Sequence, residues 1–414
     1  MSPSLLRGPV VHTRPDPKEL VARTSLDWVL RRVPVRAHER GGGVLGREWG
    51  RPVPVIDLLR PQDFYRRLAD HPKLAVGEGY MAGEWAPAQG HDLAEVLRPF
   101  AAQVGSLAPG LWRTVRRVTE RARHRRGTDA NTLDGARANI EAHYDLSNEL
   151  FATFLDPTLS YSSARFDPTR PFAEQGLREA QERKIEAALD LAGVGAGSRV
   201  LEIGTGWGSL AIAAGRRGAQ VVSVTISSEQ LALARQRVRE AGLEHEVEIR
   251  LQDYREVRGQ FDAIVSIEMI EAVGEHYWPS YFGAMDRLLA PGGAIALQAI
   301  LMSHERLLAT RGSASWINAY IFPGGIMPSL TAIEQVTGRH TTLEVTERQH
   351  FGRHYAETLQ RWRATFVQQR DRVHELGFDE TFVRMWEFYL AYCEAGFAVD
   401  YIDVAQLQLR RPGG

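Results

Sequence analysis

From residue 198 onward the chain alternates short apolar runs with stretches of helical period. Runs at 199–203, 221–226, 247–251, 261–267 and 293–301 read as strands buried on both faces, and the segments 210–216 and 229–240 read as helices between them. Strand and helix in regular alternation predict a doubly wound, mainly parallel sheet, so the expected class is α/β. After residue 301 comes an aromatic-rich segment at 316–322, then helical stretches running through Arg361 and Phe388. The apolar run at 401–409 is expected to return as the last strand of the same sheet. Upstream, runs at 33–37 and 53–59 flank the Gly41-Gly42-Gly43 break and predict a smaller N-terminal domain, α/β or mainly helical.

Composition narrows the picture. The chain has 414 residues, 44% hydrophobic and 24% charged, which supports a sizeable core and excludes a disordered chain. Its 50 basic and 51 acidic residues leave a formal charge of −1, so nucleic acid is not the expected partner. Cys393 is the only cysteine, which excludes an intramolecular disulfide and leaves no clustered Cys/His metal site to expect. The first forty residues lack a continuous apolar core, and no apolar run approaches the ~20 residues that span a bilayer. A cytoplasmic protein is expected, with any membrane contact peripheral and at the inner face. Charge is nevertheless unevenly spread. Arg113, Arg116, Arg117, Arg121, Arg123, Arg125 and Arg126 fall within fourteen residues, interrupted by one acid, Glu120. The expected division is therefore an accessory domain at 1–110, a basic helix and linker at 111–134, and the larger domain at 135–414. Such a helix gains about 1 kcal/mol per basic residue beside an anionic lipid surface, and is equally readable as a solvated face.

The first strand of the larger domain runs into Gly204-Thr205-Gly206-Trp207-Gly208 and then into a helix. Glycine here permits positive φ and close backbone approach to a ligand at the carboxyl edge of the sheet. A nicotinamide site would want an acid ending the second strand, where this chain has Val224-Thr225-Ile226-Ser227. With Glu202 ending the first strand, Asp253 after the third and Pro291-Gly292-Gly293 before the fifth, the set resembles the motifs of class I S-adenosylmethionine (SAM)-dependent methyltransferases. Glu202 as a salt-bridge partner and Asp253 as a helix cap are the plainer readings of those two residues.

Longer strings carry a more specific resemblance. His143-Tyr144-Asp145-Leu146-Ser147-Asn148, Leu159-Ser160-Tyr161-Ser162-Ser163, Gln252-Asp253-Tyr254-Arg255, Glu268-Met269-Ile270-Glu271-Ala272-Val273-Gly274 and Tyr320-Ile321-Phe322-Pro323-Gly324-Gly325 resemble the cyclopropane-fatty-acyl-phospholipid synthase family, which includes the mycolic acid methyltransferases. Phe388-Tyr389-Leu390-Ala391-Tyr392-Cys393 with Tyr401-Ile402-Asp403 extends the match, so that it covers about 135–410. Gly77-Glu78-Gly79-Tyr80-Met81-Ala82-Gly83-Glu84-Trp85 is similar to the accessory domain of the phospholipid-modifying members. The resemblance implies a class I, Rossmann-like catalytic domain that binds SAM. It puts Tyr161 and Ser162 at the cofactor's carboxylate and sulfonium end, with Glu202, Gly204 and Gly206 around its methionine part. Thr225 and Gln230 fall at the ribose, Asp253 and Tyr254 at the adenine. Glu271 and Tyr389 then stand at the reacting centre, although Tyr389 in an aromatic-rich helix also reads as core packing.

Ring-forming members of that family hold a bicarbonate ion with a cysteine and a histidine. Those positions are Ser163 and Gln298 here, and Ala272 replaces a further histidine. Serine and glutamine still offer donors to an anion. The implied activity is C-methylation of the cis double bond of an oleoyl-type chain in unsaturated membrane phospholipid, with a methylene-branched or cyclopropane product. Glu271, Tyr389 and the aromatic group Trp316, Tyr320 and Phe322 are expected to stabilise the cation. The changes at 163 and 298 favour the branch, and a homodimer and a separate reductase are further partners to consider. Two other readings stay open: a small-molecule N- or O-methyltransferase, and a non-catalytic lipid- or partner-binding protein that retains the fold.

Overall fold

The computed structural model describes residues 16–103, 147–313 and 315–413, and these divide into two compact units, at Asp92/Leu93. The arginine-rich stretch 113–126, the 111–134 linker segment and His143-Tyr144-Asp145 lie outside the described residues.

The first unit opens with helix Pro17–Leu30, whose start is set by proline in the first turn and by Asp16, whose carboxylate accepts from the Lys18 N–H. It then builds a four-stranded sheet from β1 (Arg36–Glu39), β2 (Val44–Leu45), β3 (Val55–Leu58) and β4 (Trp85–Pro87), in the order β2-β1-β3-β4. The Gly77 to Trp85 string forms helix Ala75–Met81, a turn and β4. Arg67 ties this string down, donating to buried Glu84 at 2.6 and 2.9 Å and to Glu78 at 3.3 Å. Gly79 is small for a reason: an added Cβ would lie 2.7 Å from the Phe64 ring.

The second unit is built on a seven-stranded sheet. Its strands are β5 (Arg199–Ile203), β6 (Gln220–Thr225), β7 (Val247–Leu251), β8 (Phe261–Ile267), β9 (Leu289–Met302), β10 (Glu344–His350) and β11 (Ile402–Arg410), ordered β10-β11-β9-β8-β5-β6-β7. Pairing is parallel from β7 to β9, whereas β11 runs antiparallel to both β9 and β10. Successive residues face opposite cores, as the period of two requires. Leu201, Ile203, Ile264, Ile295 and Leu297 join helix Trp278–Leu288 in one cluster, while Val200, Ala263, Val265 and Ala296 join helices Leu177–Leu191 and Ser209–Arg216 in the other. Strand order reverses between β6 and β8 on either side of β5, which opens a crevice at the carboxyl ends where ligands bind in such sheets.

Two differences from the sequence reading have physical reasons. β10 went unrecognised because Glu344–His350 is polar and mostly exposed; its backbone pairs with β11 alone, at the sheet edge. Helix Leu93–Gln103 belongs to the second unit rather than to a domain ending at residue 110, because it packs on helix Glu380–Ala398. There Arg98 and Arg363 both donate to the fully buried Glu394, at 2.9 and 3.0 Å. Among the described residues no helix is long and apolar enough to cross a membrane.

Candidate functional site

All nine residues expected to hold the cofactor line one cavity at the carboxyl edge of the second unit's sheet. The loop after β5 forms its floor. Gly204 takes φ +95° with its N–H on the Val224 carbonyl, and an added Cβ there would lie 2.6 Å from Met269. Gly206 takes φ +51°, and a Cβ on it would meet no protein atom within 4 Å. Trp207 anchors the loop by donating its indole N–H to Asn148, at 2.7 Å, so two of the sequence strings meet here.

An amine and a carboxyl side chain line the same cavity. Lys184 is buried and donates to the Ser162 hydroxyl at 2.7 Å; burial lowers its pKa to about 8, opposed by Glu268, Asp156 and Glu202. Burial raises Glu202 to about 8, opposed by the Ser223 hydroxyl at 2.5 Å and by the Lys184 charge. A buried ammonium and a buried carboxyl facing open space beside two positive-φ glycines fit the zwitterionic end of an amino-acid-bearing ligand such as SAM. Thr225 donates to the Gln230 side chain at 2.9 Å, which sets both at the end of β6. Asp253 caps the short turn Tyr254–Glu256 and takes both side-chain bonds of Arg255, at 2.7 and 2.8 Å, so its cap role is real and coexists with its place in the cavity wall.

The four residues expected at the reacting centre are arranged differently from one another. Gln298 on β9 donates its amide to Glu268 Oε1 at 2.8 Å, and accepts from Gln406 at 3.1 Å. Ser163 also reaches Glu268 Oε1, at 2.9 Å, but through its backbone N–H; its hydroxyl donates to the Ala164 carbonyl. Glu271 accepts from the Ile300 N–H through Oε1, while its Oε2 is buried without a hydrogen-bond partner. The backbone carbonyl of Glu271 accepts from Ile326 at 2.9 Å, which docks the Tyr-Ile-Phe-Pro-Gly-Gly segment beside it. Tyr389 reaches the cavity wall only through Tyr161, the two hydroxyls being 2.8 Å apart, and its ring packs on Phe322 and Trp386. Trp316 stacks on Tyr320 and abuts Phe388.

Sequence reasoning missed Glu268 and Tyr355. Glu268 lines the cavity and collects three donors: the Ser163 N–H, the Gln298 amide and the Tyr355 hydroxyl at 2.8 Å. It does so at φ +51°, a left-handed conformation that costs a non-glycine residue about 1–2 kcal/mol. Strain of this kind persists where the surroundings over-determine it, and it clusters at functional sites. The available signal was the pair of acids at i and i+3 in Glu268-Met269-Ile270-Glu271, only one of which had been assigned.

The two carboxyl groups are pushed apart electrically. Burial and then the neighbouring Glu268 charge raise Glu271 to about 8, against backbone hydrogen bonds from Ile300 and from Glu271 itself. Burial also raises Glu268, but its three donors and the Lys184 charge pull it back. Glu268 thus has three donors and a facing ammonium that favour its charged form, where Glu271 has backbone hydrogen bonds. Tyr355 is driven well above its ordinary value by burial and by the Glu268 charge, so it stays a phenol and donates.

Residues 132–407 match the family described as mycolic acid cyclopropane synthetase. The tuberculostearic acid methyltransferase of Mycobacterium tuberculosis is 51% identical over 87% of this chain and 84% of its own length. The cyclopropane-fatty-acyl-phospholipid synthase of Escherichia coli is 34% identical over 87% and 88%. A solved mycolic acid cyclopropane synthase, in complex with S-adenosylhomocysteine (SAH) and CTAB, covers 66% of this chain and 98% of its own at 31% identity, with a TM-score of 0.61.

Proposed function

The chain belongs to the mycolic acid cyclopropane synthetase family and is a SAM-dependent methyltransferase, and from that premise we propose that it C-methylates the cis double bond of an oleoyl-type chain in membrane phospholipid, giving a methylene-branched product. The observation that carries this reading is the Glu268 carboxyl at the cavity wall, whose two oxygens take hydrogen bonds from Ser163, Gln298 and Tyr355. An amine or hydroxyl sheds the charge it gains as a proton on the attacking atom, whereas an isolated alkene becomes a carbocation when it takes a methyl group and keeps that charge on carbon until a C–H bond breaks.

When bound, SAM supplies an electrophilic methyl carbon, which the alkene π pair captures as the carbon–sulfur bond breaks toward sulfur. The chain's own residues then have three tasks. Gly204, Gly206, Thr225, Gln230, Asp253 and Tyr254 hold the cofactor along the strand ends, and Tyr161, Ser162 and Glu202 orient its reacting end. Glu268 lowers the energy of the cation by its charge, and the Tyr161 ring at the cavity wall adds an aromatic face, with the Tyr389 hydroxyl bonded to its own. Ser163, Gln298 and Tyr355 keep that carboxylate aimed, and Glu271 ties the segment after β8 to β9 by accepting from the Ile300 N–H. A hydride shift to the adjacent carbon moves the charge to the methyl-bearing carbon. Loss of a methyl proton then leaves an exomethylene group; loss without the shift closes a ring.

The branch is favoured because the relative at 51% identity is named for tuberculostearic acid rather than for a cyclopropane. A saturated methyl branch would further require two electrons and two protons from a separate reductase. The test is incubation with labelled SAM and dioleoyl phospholipid, followed by ozonolysis of the labelled chains. Cleavage at the labelled carbon is the expected result; wholly ozone-resistant product would replace the branch with a ring.

The arginine-rich stretch 113–126 supports docking on an anionic membrane surface by its charge alone. Reversing Arg116, Arg117 and Arg121 is expected to weaken binding to anionic vesicles at least tenfold. Added salt should weaken the parent chain as well, since exposed charges are screened over ~10 Å at 0.1 M. Vesicle binding that ignores both changes would remove the stretch from the docking surface.

A further inference from the structure

We infer that Glu268 is the base of the reaction, a side-chain carboxylate built into the position that ring-forming relatives give to a bicarbonate ion. The inference rests on the fatty-acyl C-methyltransferase reading and adds the residue that takes the proton. Ser163 and Gln298 were expected to cradle a bound anion. Both donate to Oε1 of Glu268, at 2.9 and 2.8 Å, and Tyr355 donates to Oε2 at 2.8 Å. The cradle is thus filled by the protein itself.

Three further observations fit a fixed base. Glu268 lines the cavity, while Glu271, the acid first assigned to the centre, does not. The backbone holds it at φ +51°, with its N–H on the Gln298 carbonyl at 2.8 Å, so side chain and main chain are clamped to the same β9 residue. Lys184 and Glu271 face it from helix Leu177–Leu191 and from its own loop, and Tyr355 and Gln298 from helix Gly352–Gln368 and β9. Of these, the Lys184 charge favours the Glu268 carboxylate, and the Glu268 charge raises Glu271.

The step balances without any added reactant. After the hydride shift a C–H bond of the newly transferred methyl breaks, its electron pair becomes the π bond to the cationic carbon that bears the methyl, and the proton passes to a Glu268 oxygen. Product departure then lets that proton exchange with water. Gln298 and Tyr355 act as positioning residues, since each acts through Glu268. An amide or phenol at these places tolerates a resident carboxylate because both donate.

The test measures labelled methyl transfer to dioleoyl phospholipid vesicles by the full chain, in carbon-dioxide-free buffer with and without added sodium bicarbonate. The parent rate is expected to be indifferent to bicarbonate, within about twofold. Glu268→Gly, which suits φ +51° and empties the cradle, should lose about 10²–10⁴-fold and recover at least tenfold with bicarbonate. Glu268→Gln keeps the shape and fills the cradle, so it should lose as much and recover nothing. Calorimetric SAM binding, retained by both variants, separates this loss from misfolding. A parent that stalls without bicarbonate, or a Glu268→Gln variant with parental rate, overturns the assignment while leaving the methyltransferase reading intact. A parent that binds SAM but methylates no unsaturated lipid overturns the substrate reading, and the assignment with it.

Discussion

Gly206→Val is expected to reduce SAM affinity at least about 100-fold, roughly 2.7 kcal/mol, in a chain that stays folded. The prediction turns on a contrast between neighbouring glycines. A Cβ at Gly204 would run into Met269 at 2.6 Å, so a substitution there disturbs protein packing as well as the site. A Cβ at Gly206 meets no protein atom within 4 Å, so what it fills is space beside the cavity that the loop lines. The φ of +51° adds a backbone penalty of about 1–2 kcal/mol, which thermal melting should register as a shift of a few degrees. Calorimetric titration reads the affinity. Parental affinity in the folded variant would take the loop out of the binding site.

Glu394→Ala carries the largest expected loss of stability, about 3–5 kcal/mol. Glu394 is fully buried and is a shared acceptor of Arg363 and Arg98, so its removal takes a buried counter-charge from both guanidinium groups. It also joins three helices: Leu93–Gln103, Gly352–Gln368 and Glu380–Ala398. Two of these carry Tyr355 and Tyr389, so activity should fall in step with stability. Glu394→Gln keeps the shape and one acceptor oxygen and should lose less. Chemical denaturation followed by tryptophan fluorescence measures both. A loss below about 1 kcal/mol for Glu394→Ala would class the network with exposed ion pairs.

Much of the second unit was legible in the sequence. The runs at 199–203, 247–251 and 261–267 became β5, β7 and β8 at the same bounds, and 401–409 became the returning strand β11, shifted by one residue. β5 and β8 are almost wholly buried, so their apolar runs are nearly continuous, while β7 at the sheet edge and β11 show apolar residues in alternation with polar ones. The cofactor candidates were legible for a related reason. Gly204, Gly206, Thr225, Gln230, Asp253 and Tyr254 sit at the ends of consecutive strands, and in a parallel sheet every strand's carboxyl end comes to the same edge.

The reacting centre was only half legible. Ser163, Glu268, Gln298 and Tyr355 come from a loop, a strand end, a neighbouring strand and a helix, and their separations along the chain follow no period. A sequence string names residue types, yet it does not say that Ser163 acts through its backbone N–H, or that the acid turned to the cavity is Glu268 rather than Glu271. The tyrosine illustrates the same limit, because Tyr389 lies in the more conspicuous aromatic string while Tyr355 makes the bond.

What the sequence determined by itself is therefore local. Alternation of apolar runs and helical periods is imposed by backbone geometry over a few residues, and the glycine loop is demanded by positive φ at particular positions. What only the tertiary structure decided is convergence: which of two neighbouring carboxyls turns to the cavity and receives three donors, and which keeps a buried oxygen without one. That choice depends on burial and on groups up to nearly two hundred residues apart in the chain, because desolvation and Coulomb energy are set by distance in space.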